Sequence, residues 1–224
     1  SPGNMGCMAV NYMEDGTRDA PAPINAFHKV ANAVIGNGDT MVLPDVPATV
    51  FEGEAEFAVI IGKKATNVSE ADAMKHVFGY MNFIDGSARG LPPPGNVFFQ
   101  MKSRDTFAPI GPYIVTADEI GDPQNLKLQS RVNGELRQSS TTGNMIWTCA
   151  QLIHFFSRNF TLKPGMVIIT GTPSGTAWSC DAELGGKWHG TDGMVPATGY
   201  LKDGDEIICE IEGIGRLRNP VVEA

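Results

Sequence analysis

The chain has 224 residues, 42% hydrophobic and 19% charged, which is enough to build one buried core without disulfide staples. A formal net charge of −8 with no stripe of Lys and Arg argues against a nucleic-acid partner or an anionic membrane surface. Apolar runs stay far below the roughly 18 residues of a membrane span. The opening "SPGNMGCMAV" lacks the basic and apolar regions of a signal peptide. Cys7, Cys149, Cys180 and Cys209 are far apart with no metal spacing, and read as free thiols of a cytoplasmic protein.

Taken in order, residues 1–50 hold few periodic segments: a short strand in "MAVNY", another around "DTMVLP", and the Pro-broken loop "EDGTRDAPAPIN", which reads as a lid. "FEGEAEFAVIIG" (51–62) is a strand. "SEADAMKHVFGYMNFID" opens on a capping pattern, Ser69 with Asp72, and predicts a short helix running into a strand that ends near Asp85. "APIGPYIVT" is a further strand, and "LKLQSRVNGELRQ" a hairpin turning at Asn133-Gly134. "NMIWTCAQLIHFFSRNFTL" has helical spacing, "KPGMVIITGTPSG" is a turn, strand and Gly-rich loop, and "LKDGDEIICEIEGIGRLRNPVV" ends the chain in alternating strands. Strands outnumber helices, so the expected class is α+β.

Three features carry chemistry. Glu52, Glu54 and Glu56 alternate along the strand at 51–62 and therefore share one face, directly before five apolar residues. A lone Glu-x-Glu is most often a solvated edge, but this strand runs into a buried sheet, and Asp85 offers another strand-end acid. Converging carboxylates suit a hard divalent cation, which takes oxygen ligands and cancels their repulsion. "ITGTPSG" (169–175) lacks the Lys and spacing of a phosphate-binding loop; its amides and the Thr172 hydroxyl could hold a small carboxylate, or form a plain turn. Lys102 and Arg89, taken singly, read as surface cations.

The ordered set "FEGEAEFAVIIGKK", "GYMNFIDGSAR", "MKSRDTFAPIGP", "VNGELRQ", "KPGMVIITGTPSG" and "LKDGDEIICEIEGIGRLRN" resembles the fumarylacetoacetate hydrolase superfamily, in its branch of bacterial acylpyruvate hydrolases and 2-hydroxyhepta-2,4-diene-1,7-dioate isomerases. The resemblance implies one catalytic domain over 1–224, with an N-terminal segment of about 1–50 and a metal-binding mixed β-roll over 51–224, assembled as a homodimer. It implies Glu54, Glu56 and Asp85 as ligands of Mg²⁺ or Mn²⁺, Glu52 as a supporting acid, and Lys102 as a catalytic group. Arg89, Gly171, Thr172 and Pro173 become substrate-binding. Two positions depart from the family: Gly90 stands where relatives usually carry Asp, and the "N-Y-x-x-H-x-x-E" motif reads "NYMEDGTR" here. Asn11 and Tyr12 match, while Asp15 and Arg18 replace the His and Glu that activate water.

The implied substrate is a 2-oxo or 2,4-dioxo acid. The first expectation is a hydrolase that cleaves the C–C bond of an acylpyruvate or fumarylpyruvate, with Asp15 or Glu14 replacing the missing base. A positioned base is worth roughly 10²–10⁴-fold. The alternatives are decarboxylation or keto–enol isomerisation on the same metal site, which need no activated water, and a metal-binding member without catalysis. Trp188, His189 and Tyr200, in the insertion-like stretch 180–200, read as loop packing rather than substrate contacts.

Overall fold

The structure, a computed structural model, describes residues 2–14, 20–92, 98–184, 186–191 and 193–224. Along the chain run strands β1 (Met5–Met8), β2 (Ala26–Lys29), β3 (Val34–Ile35), β4 (Met41–Leu43), β5 (Val50–Ile61) and β6 (Val77–Arg89). They are followed by β7 (Ala108–Thr116), β8 (Lys127–Val132), β9 (Glu135–Thr141), β10 (Val167–Ile169), β11 (Glu206–Ile211) and β12 (Gly215–Glu223). The helices are short: α1 (Glu70–Ala73), α2 (Phe98–Lys102), α3 (Cys149–Asn159) and α4 (Ala177–Cys180). Seven strands form one sheet in the order β2-β1-β10-β5-β6-β7-β3, and five form a second in the order β4-β12-β11-β8-β9. Parallel pairs β1/β10, β3/β7 and β4/β12 lie among antiparallel neighbours. This is the strand-rich, mixed β-roll of the α+β class that the sequence predicts.

Strand β5 is buried on both faces, which is why its second half reads as an unbroken apolar run rather than an alternation. Phe57, Val59 and Ile61 point between the sheets, into the main core with Leu128, Ile207 and Leu217. Ala58 and Ile60 point the other way, into a smaller core with Met5, Cys7, Phe27, Phe83 and Val167. The sheets pack tightly at Gly53, where an added Cβ would lie 2.3 Å from Ile207 Cδ1 and would force that side chain to shift.

Local chemistry sets several boundaries. Asn133 and Gly134 turn the β8–β9 hairpin at φ 52° and 83°, the left-handed pair of a type I′ turn. Ser69 caps α1 through Asp72 N–H, as its pattern predicts. Helix α3 begins later than the apolar spacing suggests, because Thr148 and Gln151 form a capping box immediately before Cys149. The strand expected in "MAVNY" ends at Met8. Beyond it the Asn11 side chain bonds Trp147 and Thr170 backbone groups, which replaces ladder partners. Residues 1–50 contribute β1 and β2 beside β10, β3 beside β7, and β4 beside β12, so this segment is woven into both sheets. All four cysteines are free thiols. Among the described residues no helix is long and apolar enough to cross a membrane.

Candidate active site

The β5–β6 register places Glu54 opposite Asp85, Glu52 opposite Ser87 and Glu56 opposite Phe83. Directly paired residues share a face, so the three glutamates and Asp85 all point towards the smaller core, beneath β2 and α2. None of the four is more than 6% exposed. Carboxylate oxygens of Glu54, Glu56 and Asp85 come within 4.8 Å of one another.

Three cations meet these four acids. Lys29, at the end of β2, places Nζ 2.5 Å from Asp85 Oδ1 and donates to Gly86 O. Lys102, at the end of α2, donates to Glu54 Oε2 and Asp85 Oδ2, both at 2.7 Å, and lies 5.6 Å from the Phe27 ring centroid. Arg89, which closes β6, spans Glu52 Oε1 through Nε and Glu54 Oε1 through Nη2, each at 2.5 Å. Burial alone would raise Asp85, but Lys102 and Lys29 outweigh it and hold its carboxyl below the usual range. Burial would likewise lower Lys102, yet Asp85 and Glu54 keep its ammonium charged well above the ordinary lysine value. Lys29 goes the other way: burial outweighs its bond to Asp85 and pulls it down.

Glu56 is the exception among the acids. Its carboxylate accepts one hydrogen bond, from Gly171 N–H at 2.6 Å, and has no cation within salt-bridge distance among the described residues. Burial first, then Asp85 and Glu54, push its carboxyl well above the ordinary glutamate range. An all-oxygen donor set with one uncompensated buried carboxylate fits a hard divalent cation. Lys102, bridging Glu54 and Asp85, already stands in part of that place as a monovalent charge.

The Gly171–Thr172–Pro173 loop abuts this cluster. Gly171 has φ +90°, and a Cβ there would lie 2.7 Å from Asn11 Cβ, so the turn that aims its N–H at Glu56 requires glycine. The Thr172 hydroxyl donates to Ala55 O at 2.8 Å and accepts from Gln138 Nε2 at 2.7 Å, which commits its proton to β5. Gln138, fully buried on β9, also donates to Pro173 O and accepts from Ala55 N–H. One side chain from the second sheet thus fixes the loop to the residue between Glu54 and Glu56.

A cleft of about 460 Å³ opens above, lined by Glu54, Arg89, Lys102, Thr172, Pro173 and Trp178 among others. A smaller cavity of about 150 Å³ lies across β5 against Gly53 and Arg137, away from Lys102. Glu14 is outside the cleft lining, bonded to Ser140 Oγ and Asn144 Nδ2. Asp15, the other base candidate, lies outside the described residues, as does Arg18. No histidine lines the described cleft: His28 is exposed against Phe160, His154 on α3 bonds Val68 O, His76 ends a 3-10 turn, and His189 lies in a loop.

Lys29, Gln138 and Trp178 escape a reading of the sequence. Lys29 has one signal, a lysine two residues after Phe27 on the same strand face. Gln138 and Trp178 have none, because their roles depend on contacts between the sheets and across an insertion. Trp188 is buried at 6% and Tyr200 bonds Asp181, so both pack the loop.

The family model described as "Fumarylacetoacetate (FAA) hydrolase C-terminal" matches residues 6–222. The chain is 38% identical over 227 aligned residues to "Oxaloacetate tautomerase fahd2, mitochondrial" of Xenopus laevis, covering 99% of this chain and 66% of that protein. It therefore spans about two thirds of that relative's length. A 5-carboxymethyl-2-hydroxymuconate delta-isomerase from Mycobacterium smegmatis superposes with a TM-score of 0.83 at 32% identity, over 100% of this chain and 78% of the other. A maleylpyruvate hydrolase from Sphingobium sp. SYK-6, solved with manganese(II) and pyruvate, gives 0.79 at 33%, over 100% and 71%.

Proposed function

Because the chain belongs to the fumarylacetoacetate hydrolase family, we propose that it is a metal-dependent enzyme that interconverts the enol and keto forms of a short 2-oxo acid of the oxaloacetate type. The observation that carries this reading is a cleft with a charged lysine at its floor and no imidazole among its described lining. Proton transfer within a substrate needs only a group that can give and take a proton; attack by water needs a base to generate the nucleophile. The tautomerase name of the Xenopus laevis relative supports the same reading.

Glu54, Glu56 and Asp85 would hold Mg²⁺ or Mn²⁺, which when bound would polarise the 2-oxo oxygen and stabilise negative charge there. The remaining work falls to this chain's own groups. Lys102 Nζ, at the floor of the cleft, delivers a proton to C3 of the enol and regains the one released by the enol oxygen, so it ends as it began. The Thr172 hydroxyl is committed elsewhere, which leaves the Thr172 backbone N–H and Arg89 to orient substrate carboxylates. Lys29 and Gln138 hold Asp85 and the loop in place. The whole of 1–224 acts as one catalytic domain in this proposal, in the cytoplasm and as a homodimer. Pairing would cover Tyr113 and Ile114, which are exposed at 67% and 54% on β7.

Hydrolysis of an acylpyruvate is the second reading, favoured by the likeness to the maleylpyruvate hydrolase. The test supplies Mg²⁺ with the enol of oxaloacetate and, separately, with an acylpyruvate. Accelerated loss of enol absorbance that Lys102→Met abolishes is the expected result. Pyruvate release from the acylpyruvate without faster ketonisation would replace this reading with the hydrolytic one.

A further inference from the structure

Beside Arg89, at the rim of the cleft, stands Trp178, a side chain that the chemistry above leaves unused. The two oxygens of Glu52 divide between them: Oε1 takes Arg89 Nε at 2.5 Å, and Oε2 takes the backbone N–H of Trp178 at 2.9 Å. One buried carboxylate thus ties a β6 side chain to the α4 backbone. The guanidinium carbon lies 5.3 Å from the centroid of the indole, within the range of a cation–π contact.

The backbone that carries the indole is held from its own side as well. Thr176 caps the Ser179 N–H, and Gly175 N–H bonds Ser179 Oγ. Ser179 O receives Trp188 N–H at 3.0 Å, and Asp181 O receives Gly186 N–H at 2.8 Å. Gly186 packs so closely that an added Cβ would lie 2.5 Å from Ser179 O. The segment is a knot of backbone bonds that presents Trp178 to the cleft.

The result is a guanidinium set over an indole, with one edge engaged. Nε and Nη2 point to Glu52 and Glu54, while Nη1 has no hydrogen-bond partner among the described residues. The side chain is 21% exposed and lines the cleft. Carboxylates dock on a guanidinium in its plane, through parallel N–H···O bonds. Nη1 therefore offers free N–H groups to a carboxylate in the cleft next to the indole, and a methyl or acyl end in that place would leave charged N–H groups desolvated and unpaired.

We propose that Trp178 is a specificity-determining wall that, with Arg89, selects 2-oxo acids whose far end is a carboxylate. The inference rests on the 2-oxo acid reading above and assigns to Trp178 the preference for a dicarboxylate over a monocarboxylate. N-oxalylglycine and N-methyloxamate are inert 2-oxo acid mimics that differ only in a distal carboxylate. Titrated into the Mg²⁺-loaded protein by calorimetry and tryptophan emission, the first should bind about ten-fold tighter than the second. The diacid alone should change the emission. Trp178→Ala should erase the preference, and Trp178→Phe, which keeps an aromatic wall, should retain it while losing the emission change.

Equal binding of both compounds by the wild type overturns the inference and leaves the 2-oxo acid reading standing. So does a preference that survives Trp178→Ala, or an emission change that survives Trp178→Phe. Binding as expected without ketonisation of oxaloacetate overturns the catalytic reading alone. Binding of neither compound overturns both.

Discussion

The floor and the rim of the cleft are both made of charged side chains, and they are held by different means. The floor stands on β5 and β6, strands of 12 and 13 residues whose backbones are paired along almost their whole length. Its acids cannot move apart, so their repulsion must be met by cations brought to them: Lys29 and Lys102 from the chain, and the proposed divalent ion. The rim joins Arg89, at the very end of β6, to the indole of Trp178 on α4, a helix of four residues fixed by turns and by Glu52. The floor is thus a fixed electrostatic demand, while the rim is a replaceable wall. Changes at the floor should remove chemistry or stability outright, and changes at the rim should alter preference.

The largest expected effects are at the floor. Glu54→Ala or Asp85→Ala should abolish Mg²⁺-dependent turnover, and retained activity in either would break the distinction between floor and rim. Lys29→Met leaves Asp85 with one partner of two in a site that water does not reach. Breaking a buried pair this way costs about 3–5 kcal/mol, to be read as a lower denaturation midpoint with the unfolding slope unchanged. A loss below about 1 kcal/mol, the scale of an exposed pair, would show that Lys29 is no essential counter-charge.

A smaller effect is expected with pH. Glu56 binds its proton more tightly folded than unfolded, because burial and the neighbouring acids raise its carboxyl above the ordinary value of 4.5. The stability this contributes is complete below that value and is lost as pH rises through the raised one. Asp85 is held below its ordinary 3.8, so its own contribution is already complete at higher pH and does not oppose the trend. The metal-free protein should therefore lose thermal stability as pH rises above the ordinary glutamate value of 4.5, and Glu56→Gln should reduce the loss, Glu54, whose carboxyl burial also raises, carrying the rest. A flat profile in the wild type would mean that Glu56 has a partner in solution. Least of all should follow from the surface: Lys75→Ala removes an exposed bridge to Asp72 and should leave the denaturation midpoint unchanged.

The same contrast explains what could be read from the chain. The acids of the floor were legible because a strand has period two: Glu52, Glu54 and Glu56 share a face whatever they pack against. The β8–β9 turn was legible because Asn133-Gly134 accepts positive φ. Lys29 was not, since β2 is four residues long and its one neighbour, β1, is held in the sheet by a parallel pairing with β10, far away in sequence. Gln138 looks like any polar strand residue until the second sheet closes over it. Trp178 lies in a stretch whose conformation is fixed by turn hydrogen bonds, which leave no periodic trace. The order of site motifs, "FEGEAEF", "NFIDGSAR", "QMKSRD" and "ITGTPSG", was legible as a family resemblance, while the group that replaces histidine in "NYMEDGTR" was not.

Divalent-cation binding by the wild type and by Glu56→Gln, measured by calorimetry near pH 7.5, is the most direct test of the cation seat. One saturable Mg²⁺ or Mn²⁺ site is expected in the wild type. Glu56→Gln should lose that site, while the metal-free variant melts no lower than the wild type, since a buried unpaired carboxylate has been removed. Unchanged affinity in Glu56→Gln, or a wild type that binds neither ion, would contradict a cation seat built on Glu56.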